Sequence, residues 1–491
     1  MLILYNPPSS AQRKPILPMS LLALGALLEG DEPYVIVDGN LESDPLGALD
    51  RTLRTTGADT LGVTVMPGPQ LQNATAVCRR LKELHPRLTI VWGGYFPTQH
   101  HDVCLRSPFV DFVFRGHAEA EFKKFVMARR TGQPVNDIPG LAWRRDETGA
   151  IAANPQPAIP HPQRLPDFPY QRLDMARYVR RTFLGDRTLS HHSSYGCPFF
   201  CNFCAVVNMV NGRWLAQSAE RTAHVAGRLV REFGADAIEF FDNNFFVDEA
   251  RVIEFAERVV PLNIRWWGEA RIDTLCRYTD RTWDLLRQSG LKMAFMGAES
   301  GSNETLRAMD KGGTASTEKT LEIAARMARH GIIPEFSFVM GNPPDPEADV
   351  GHTIEFIRKV KAVNPASEII LYMYTPVPLS GTLYDRAVAQ GFRFPETLDE
   401  WASPAWQEFS QRRSAHMPWL EDRLRRRVRD FERVLNAYCP TTTDVSLRGA
   451  RRLVLRAFSA ARFHFRLYRY PIELQVLQRL LPYQRPETSG F

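Results

Sequence analysis

The sequence predicts an α/β protein built as two alternating units followed by a helical region. Three observations carry that reading. Short apolar runs punctuated by Gly and Pro alternate with helical patterns through residues 1–134. Six further strand-then-helix units occupy 188–395. Beyond them, over 396–491, the alternation gives way to an irregular helical pattern rich in Trp and Arg. Continuous apolar strands separated by helices belong to parallel sheets covered on both faces. The first unit reads as a doubly wound, Rossmann-like sheet and the second as a partial (β/α)6 barrel. Both architectures gather ligands at the C-terminal ends of their strands.

In the first unit, strands are expected at 2–5, 34–37, 60–65, 88–92 and 112–114, with helices at 17–28, 46–56 and 70–84. The strand ends carry Asn6-Pro7-Pro8, Asp38-Gly39, Pro67-Gly68, Gly93-Gly94 and Arg115-Gly116. Residues 135–187 are rich in Pro and read as a linker with a small hairpin, 140–143 with 150–153. Barrel strands are expected at 189–195, 237–242, 264–270, 292–297, 335–341 and 368–375. The helices between them fall near 217–233, 248–260, 279–289, 316–330 and 348–363.

At 44% apolar and 24% charged, the 491 residues have an ordinary globular composition. That excludes wholesale disorder, collagen-like repeats and a multi-span membrane protein. The net charge is +6, but residues 446–491 hold nine Arg against two Glu, leaving the first 445 at about −1. The basic character belongs to the tail, so a general nucleic-acid binder is not expected. Cys78, Cys104, Cys276 and Cys439 are scattered, as in a reduced, cytoplasmic protein. The apolar stretch 16–28 is shorter than the roughly 18 residues a membrane span needs and fits a buried helix.

The other three cysteines form Cys197-x3-Cys201-x2-Cys204, directly after an expected strand. Thiolates are soft ligands that favour iron–sulfur clusters or zinc. Structural zinc sites want four protein ligands, usually from two separated pairs. Here there are three, with His191 and His192 on the incoming strand as poorly placed candidates for a fourth. Three thiolates on one loop leave one iron of a [4Fe–4S] cube open to a small molecule.

The triad at the first strand end of such a barrel resembles the radical S-adenosylmethionine (SAM) superfamily. The resemblance implies a [4Fe–4S] cluster held by Cys197, Cys201 and Cys204, with SAM chelated at the open iron and cleaved to a 5′-deoxyadenosyl radical. Phe203 matches the family's aromatic before the last cysteine. Asp242 and Asn243 end the second strand, and Glu269 and Arg271 the third. Glu299 and Ser300 end the fourth, and Met340 and Gly341 the fifth. All are implied SAM-binding positions. SAM carries a sulfonium and an ammonium, so the carboxylates of Asp242, Glu269 and Glu299 suit its cationic groups.

The first unit has neither G-x-G-x-x-G nor a Walker loop, so phosphate cradling is not signalled. Preceding such a barrel, it resembles the cobalamin-binding domain of the subgroup that includes the anaerobic magnesium-protoporphyrin ester cyclase and many carbon methyltransferases. The implied cobalamin positions are Asn6, Thr64, Met66, Gly93, Gly94, Tyr95, Gly116 and Glu119. The bare backbone of the Gly93-Gly94 turn is expected to admit the nucleotide tail. The first loop, Asn6-Pro7-Pro8-Ser9, lacks the His that ligates cobalt in many corrinoid domains.

The resemblance therefore implies a cobalamin-dependent radical SAM enzyme that methylates an unactivated carbon. It also allows a cyclase, ring-rearranging or hydroxylating enzyme of the same superfamily. A non-catalytic iron–sulfur scaffold or regulator is the reading from another class. The implied partners are a small-molecule substrate of hydrophobic character and a reductant such as flavodoxin or ferredoxin. In the tail, Arg452, Arg456, Arg462, Arg466 and Arg469 recur near helical spacing among aromatic residues. That pattern is expected either to form a basic stripe on an anionic membrane surface or to cap the barrel.

Overall fold

The computed structural model describes residues 1–9, 15–145, 149–379, 381–412, 417–441, 443, 447 and 449–481. In the N-terminal unit, β1 (Leu2–Asn6), β2 (Tyr34–Asp38), β3 (Thr60–Thr64), β4 (Thr89–Gly93) and β5 (Phe112–Phe114) pair in parallel. The helices Met19–Leu28, Pro45–Thr56, Pro69–Leu84 and Glu119–Arg130 intervene. β1 lies inside the sheet with every side chain buried, as its unbroken apolar run requires. The hairpin expected in the linker is present as β6 (Leu141–Arg144) and β7 (Ile151–Ala153), but it does not stand apart. β6 pairs antiparallel with β5, giving the order β2-β1-β3-β4-β5-β6-β7. Without it, β5 would leave an unpaired, largely buried apolar edge.

The second unit begins with β8 (Thr188–His191), followed by β9 (Ser194–Gly196) and β10 (Trp214–Ala216). Then come β11 (Ala237–Phe240), β12 (Arg265–Ala270), β13 (Leu291–Glu299), β14 (Ile333–Met340) and β15 (Glu368–Met373). β8 and β11 to β15 form a six-stranded parallel sheet in chain order, open between β15 and β8. Its helices start where a side chain can cap them: Ser218, Asp248, Thr279, Ser316 and Asp345 each accept from a first-turn backbone N–H. The strand expected over 189–195 breaks after His191. The buried Asp242 carboxylate draws in the Ser193 N–H (3.0 Å) and the hydroxyls of Ser193 and Ser194. β9 then leaves the sheet to pair antiparallel with β10.

The C-terminal region joins the two units. Trp401 packs edge-on against Phe96 of the N-terminal unit (5.1 Å) and contacts His100 (4.8 Å), while Phe392, Phe394, Trp406 and Phe409 continue the aromatic cluster. Met373 N–H donates to Arg412 O and Trp419 Nε1 to Gly341 O, so the same segment also lies along the barrel edge. One apolar core runs through all three regions, from Ile3 to Leu474. The helices Asp422–Tyr438, Ala450–His464 and Ile472–Leu480 pack last. Among the described residues, no helix is long and apolar enough to cross a membrane.

Candidate functional site

Gly196 launches the cysteine loop. Its φ is +82°, and a Cβ there would lie 2.2 Å from Arg213 O, so only glycine fits. Cys201 is buried, and Cys197 and Cys204 are half-buried. Burial pushes all three thiols up, Cys204 to about 12. They are poor ionised groups by themselves and need a cationic partner or metal to hold the thiolate. Donors already point at the sulfurs: Arg271 Nη1 lies 3.3 Å from Cys201 Sγ, and Asn244 Nδ2 is 4.0 Å from Cys197 Sγ. Hydrogen bonds to ligating sulfur are the outer shell that iron–sulfur sites use to tune the metal. The chemistry and spacing of these thiols fit a cluster, although among the described residues no three Cys, His, Asp or Glu side chains are already gathered as a metal-binding group. His191 is buried with its Nε2 3.2 Å from Gln217 Oε1 and its Nδ1 without a partner, and it forms no metal-binding group with the cysteines among the described residues. Burial pushes its imidazole down to about 4.

Arg271 was expected at SAM; the structure places it at the cysteines. Its guanidinium stacks over Phe199 at 3.7 Å, forks onto Asp273 at 2.9–3.0 Å and donates to Lys311 O. The buried pair holds the loop against the end of β12.

The three carboxylates expected to meet SAM's cationic groups have different fates. Asp242 is fully buried and is engaged by Ser193 and Ser194. Glu299, at φ +64°, is paired with Lys311 Nζ at 3.0 Å. Glu269 alone has no side-chain partner among the described residues, and burial, with Asp242 nearby, pushes its carboxyl up to about 8. A carboxyl left in that state at a strand end fits a ligand that brings its own positive charge.

Asn243 is exposed, and it is the neighbouring Asn244 that turns inward, with its Oδ1 buried and unsatisfied. Phe203 packs half-buried against the main core. Ser300 Oγ donates to Asp349, whose carboxylate also takes the N–H groups of Gly341 and Asn342. Asp349 thus ties the ends of β13 and β14 together, with Met340 buried beside it.

In the N-terminal unit, the loops after β3 and β4 are laced by backbone. Val65 N–H donates to Gly93 O, and Phe96 N–H to Val65 O. Gln70 supports them, accepting from Met66 N and donating to Asn6 Oδ1 at 2.7 Å. Asn6 also donates to Asp38, so its amide serves the scaffold. Thr64 Oγ1 accepts from Ser20. The two glycines differ. At Gly94 (φ +97°) a Cβ would meet Val65 backbone at 3.1 Å, so that glycine is needed internally. At Gly93 nothing lies nearer than 4.0 Å, which leaves a backbone face open to a planar or chain-like ligand. Thr98 Oγ1 links Gly94 O to Gly116 N. That open face, bordered by Met66 and Tyr95, fits a corrinoid tail.

These loops abut the cysteine loop. His117 stacks on Tyr195 at 4.6 Å, two residues before Cys197, and Glu119 is buried against both rings. Asn208, just after Cys204, donates to Gln99 Oε1 at 2.7 Å. Tyr95 is half-buried on this side, and desolvation pushes its phenol up to about 12.

Sequence reasoning missed Asn244, Gln70, Asp349 and Arg251. Arg251 donates to Ser193 Oγ, Gln217 O and Thr222 Oγ1 from within the core. Only the Asn243-Asn244 doublet offered a signal.

Residues 14–126 match the B12 binding domain and residues 192–357 the radical SAM superfamily. An uncharacterized methyltransferase of Pyrococcus horikoshii is 26% identical over 368 residues, 73% of this chain and 78% of that protein. The anaerobic magnesium-protoporphyrin IX monomethyl ester cyclase of Synechocystis sp. is 28% identical over 346 residues, 68% of this chain and 67% of that protein. The solved structure of the radical SAM methyltransferase TsrM from Kitasatospora setae, with cobalamin and a [4Fe–4S] cluster bound, superposes with a TM-score of 0.63. It shares 18% identity and covers 79% of this chain and 74% of that one.

Proposed function

We propose that this chain, a radical SAM enzyme with a B12-binding domain, methylates an unactivated carbon of a hydrophobic small molecule. The observation that carries the reading is the abutment of the two strand-end regions. The loops after β4 and β5 meet the cysteine loop through His117, Tyr195, Gln99 and Asn208. A methyl donor and a radical initiator held at those two places would lie next to one another.

When bound, the cluster and SAM supply a carbon radical and the corrinoid supplies a methyl group. The chain's part is to hold and exclude. Cys197, Cys201 and Cys204 would bind the cluster, and Arg271 and Asn244 donate toward its sulfurs. Glu269 would receive SAM's cationic end. Gly93, Met66 and Tyr95 border the corrinoid face, and the aromatic segment around Trp401 keeps water from the gap.

Radical SAM enzymes act on small molecules and need a reductant. A flavodoxin or ferredoxin is the partner that suits a cytoplasmic enzyme of this kind. It would approach over the open cavity of about 420 Å³ beside the cysteine loop, lined by Phe200, Asn202 and Arg307. The basic tail makes peripheral membrane contact part of the same reading.

The cyclase relative supports a second reading, ring formation without methyl transfer. Anaerobic reconstitution with methyl-deuterated SAM, cobalamin and a strong reductant separates the two. Methyl transfer gives 5′-deoxyadenosine, S-adenosylhomocysteine and deuterated methylcobalamin together. 5′-Deoxyadenosine without S-adenosylhomocysteine supports the cyclase reading, and neither product removes both.

A further inference from the structure

The tail's arginines are largely engaged by the protein itself, although Arg456, Arg466 and Arg469 stay exposed. Arg462 is paired with Glu473 and donates to the carbonyls of Leu467, Arg469 and Tyr470. Arg466 pairs with Glu355 at 2.9 Å, Arg452 donates to Pro440 O, and Arg456 lies over the Tyr438 ring. Arg448 and Arg485 fall outside the described residues. Most of the basic pattern legible in the sequence is therefore occupied within the protein.

What faces out beside them is apolar. The helix Ala450–His464 buries Leu455, Ser459 and Phe463 against the body. Its opposite face presents Leu453 (67% exposed), Val454 and Phe458, and Phe465 (75%) follows at its end. The helix Ile472–Leu480 buries Leu474 and exposes Ile472 (64%), Val476 and Leu480 (72%). Leu467 and Tyr470 stand out between the helices. Nine of the fourteen exposed large apolar side chains among the described residues fall between 453 and 480, so they form a patch rather than a scatter. An amphipathic helix lying on a protein normally shows water its polar side; this one has a second apolar side.

We infer that this face is a membrane-docking surface that inserts apolar side chains into the headgroup boundary of an anionic bilayer. The inference rests on the peripheral membrane contact proposed above and assigns it to a surface. Charge complementarity selects the occupant. Arg451, Arg469 and Arg479 are exposed around the face with no ion-pair partner among the described residues, and Glu473, the single acidic residue in 450–480, is already paired. Cations ringing an apolar face match anionic headgroups around acyl chains. A second copy of the chain is disfavoured by the same charges, because a two-fold contact through this face sets one basic tail against another. Docking here would also bring a membrane-resident hydrophobic substrate to the enzyme.

The test uses the full-length reconstituted protein and sedimentation with vesicles of phosphatidylcholine alone or with three parts in ten of phosphatidylglycerol. The variants are Leu453→Ser/Phe458→Ser/Leu480→Ser, at exposed positions, and Arg451→Gln/Arg469→Gln/Arg479→Gln. Binding of the native protein to the anionic vesicles is expected, with a fraction that survives high salt. The apolar triple variant should lose at least tenfold in partitioning while keeping its cluster and 5′-deoxyadenosine formation. The arginine variant should lose only the salt-sensitive part. Full binding by the apolar variant, with loss confined to the arginine variant, overturns the assignment while leaving a membrane contact standing. No binding by the native protein overturns the contact itself. A dimer in vesicle-free sedimentation that the apolar variant abolishes also overturns the inference, since the face is then an interface between copies.

Discussion

The two sets of strand ends that meet at the centre of the molecule are built by different means. In the N-terminal unit, the loops after β3 and β4 are fixed by backbone hydrogen bonds and neutral side chains such as Gln70, Thr64 and Thr98. In the barrel, the corresponding ends carry buried ions: Arg271 on Asp273, Lys311 on Glu299, and Asp242 beneath two serines. The contrast follows the ligands each side suits. A broad, largely uncharged macrocycle with a tail asks for shape, whereas a cluster and a sulfonium zwitterion ask for placed charge. Substitutions on the first side should therefore act through space and those on the second through electrostatics.

The largest effect tests the charged side. Cys197→Ala, Cys201→Ala or Cys204→Ala should each abolish the cluster and SAM cleavage, read as loss of iron and of 5′-deoxyadenosine, while Cys78→Ala leaves both intact. A full cluster in Cys201→Ala would remove the premise of the comparison.

The glycine pair sharpens the spatial side. Gly94→Val places a Cβ against Val65 and strains a left-handed backbone. It should cost about 1–3 kcal/mol of stability in denaturant unfolding, whether or not corrinoid is present. Gly93→Val meets only open space within the protein, so it should fold normally and fail to take up hydroxocobalamin. Equal corrinoid binding by Gly93→Val and the native chain would place the ligand elsewhere.

Glu269 comes next. Its ordinary pKa is 4.5, and burial pushes it to about 8. The folded protein therefore holds this proton more tightly than the unfolded chain. Its stabilising contribution is complete below about 4.5 and is lost as pH rises through 8, unless a cation compensates. SAM should supply that cation, so its affinity should rise as pH approaches 8. In Glu269→Gln, SAM binding should weaken about 10–100-fold, and the part of the pH dependence due to this carboxyl should disappear. Unchanged affinity in isothermal titration would leave Glu269 a purely structural group.

The smallest effect concerns Arg271. Replacing it alone strands the buried Asp273 carboxylate, so the informative variant is Arg271→Met/Asp273→Asn. Iron content should hold, and the cluster's reduction potential, followed by electron paramagnetic resonance, should move to a more negative value because the hydrogen bond to sulfur is lost while the net charge stays the same. An unmoved potential would mean the guanidinium only props the loop.

Much of this was legible before the structure. The cysteine triad is local in sequence, and all six barrel strands follow from apolar runs ended by turns. What was not legible depended on partners distant in the chain. Nothing near Asp242 announces that Ser193 and Ser194 will occupy it, and nothing near Glu299 announces Lys311 as its counter-ion. Within Asn243-Asn244, the backbone turn after β11, not residue type, decides which amide faces inward. The tail shows the limit most clearly. Helical spacing located its arginines, but the direction they face was set by Glu355, in a helix about a hundred residues away, and by Glu473.

The aromatic bridge of Phe96, His100, Phe394 and Trp401 has a thermodynamic meaning for the whole chain. Two domains joined by a polar linker would melt separately and hinge freely. Here the bridge fuses their interiors, so neither can lose its packing without exposing the other's rings. The bridge should therefore make the chain unfold as one cooperative unit, with a single transition in denaturant rather than two.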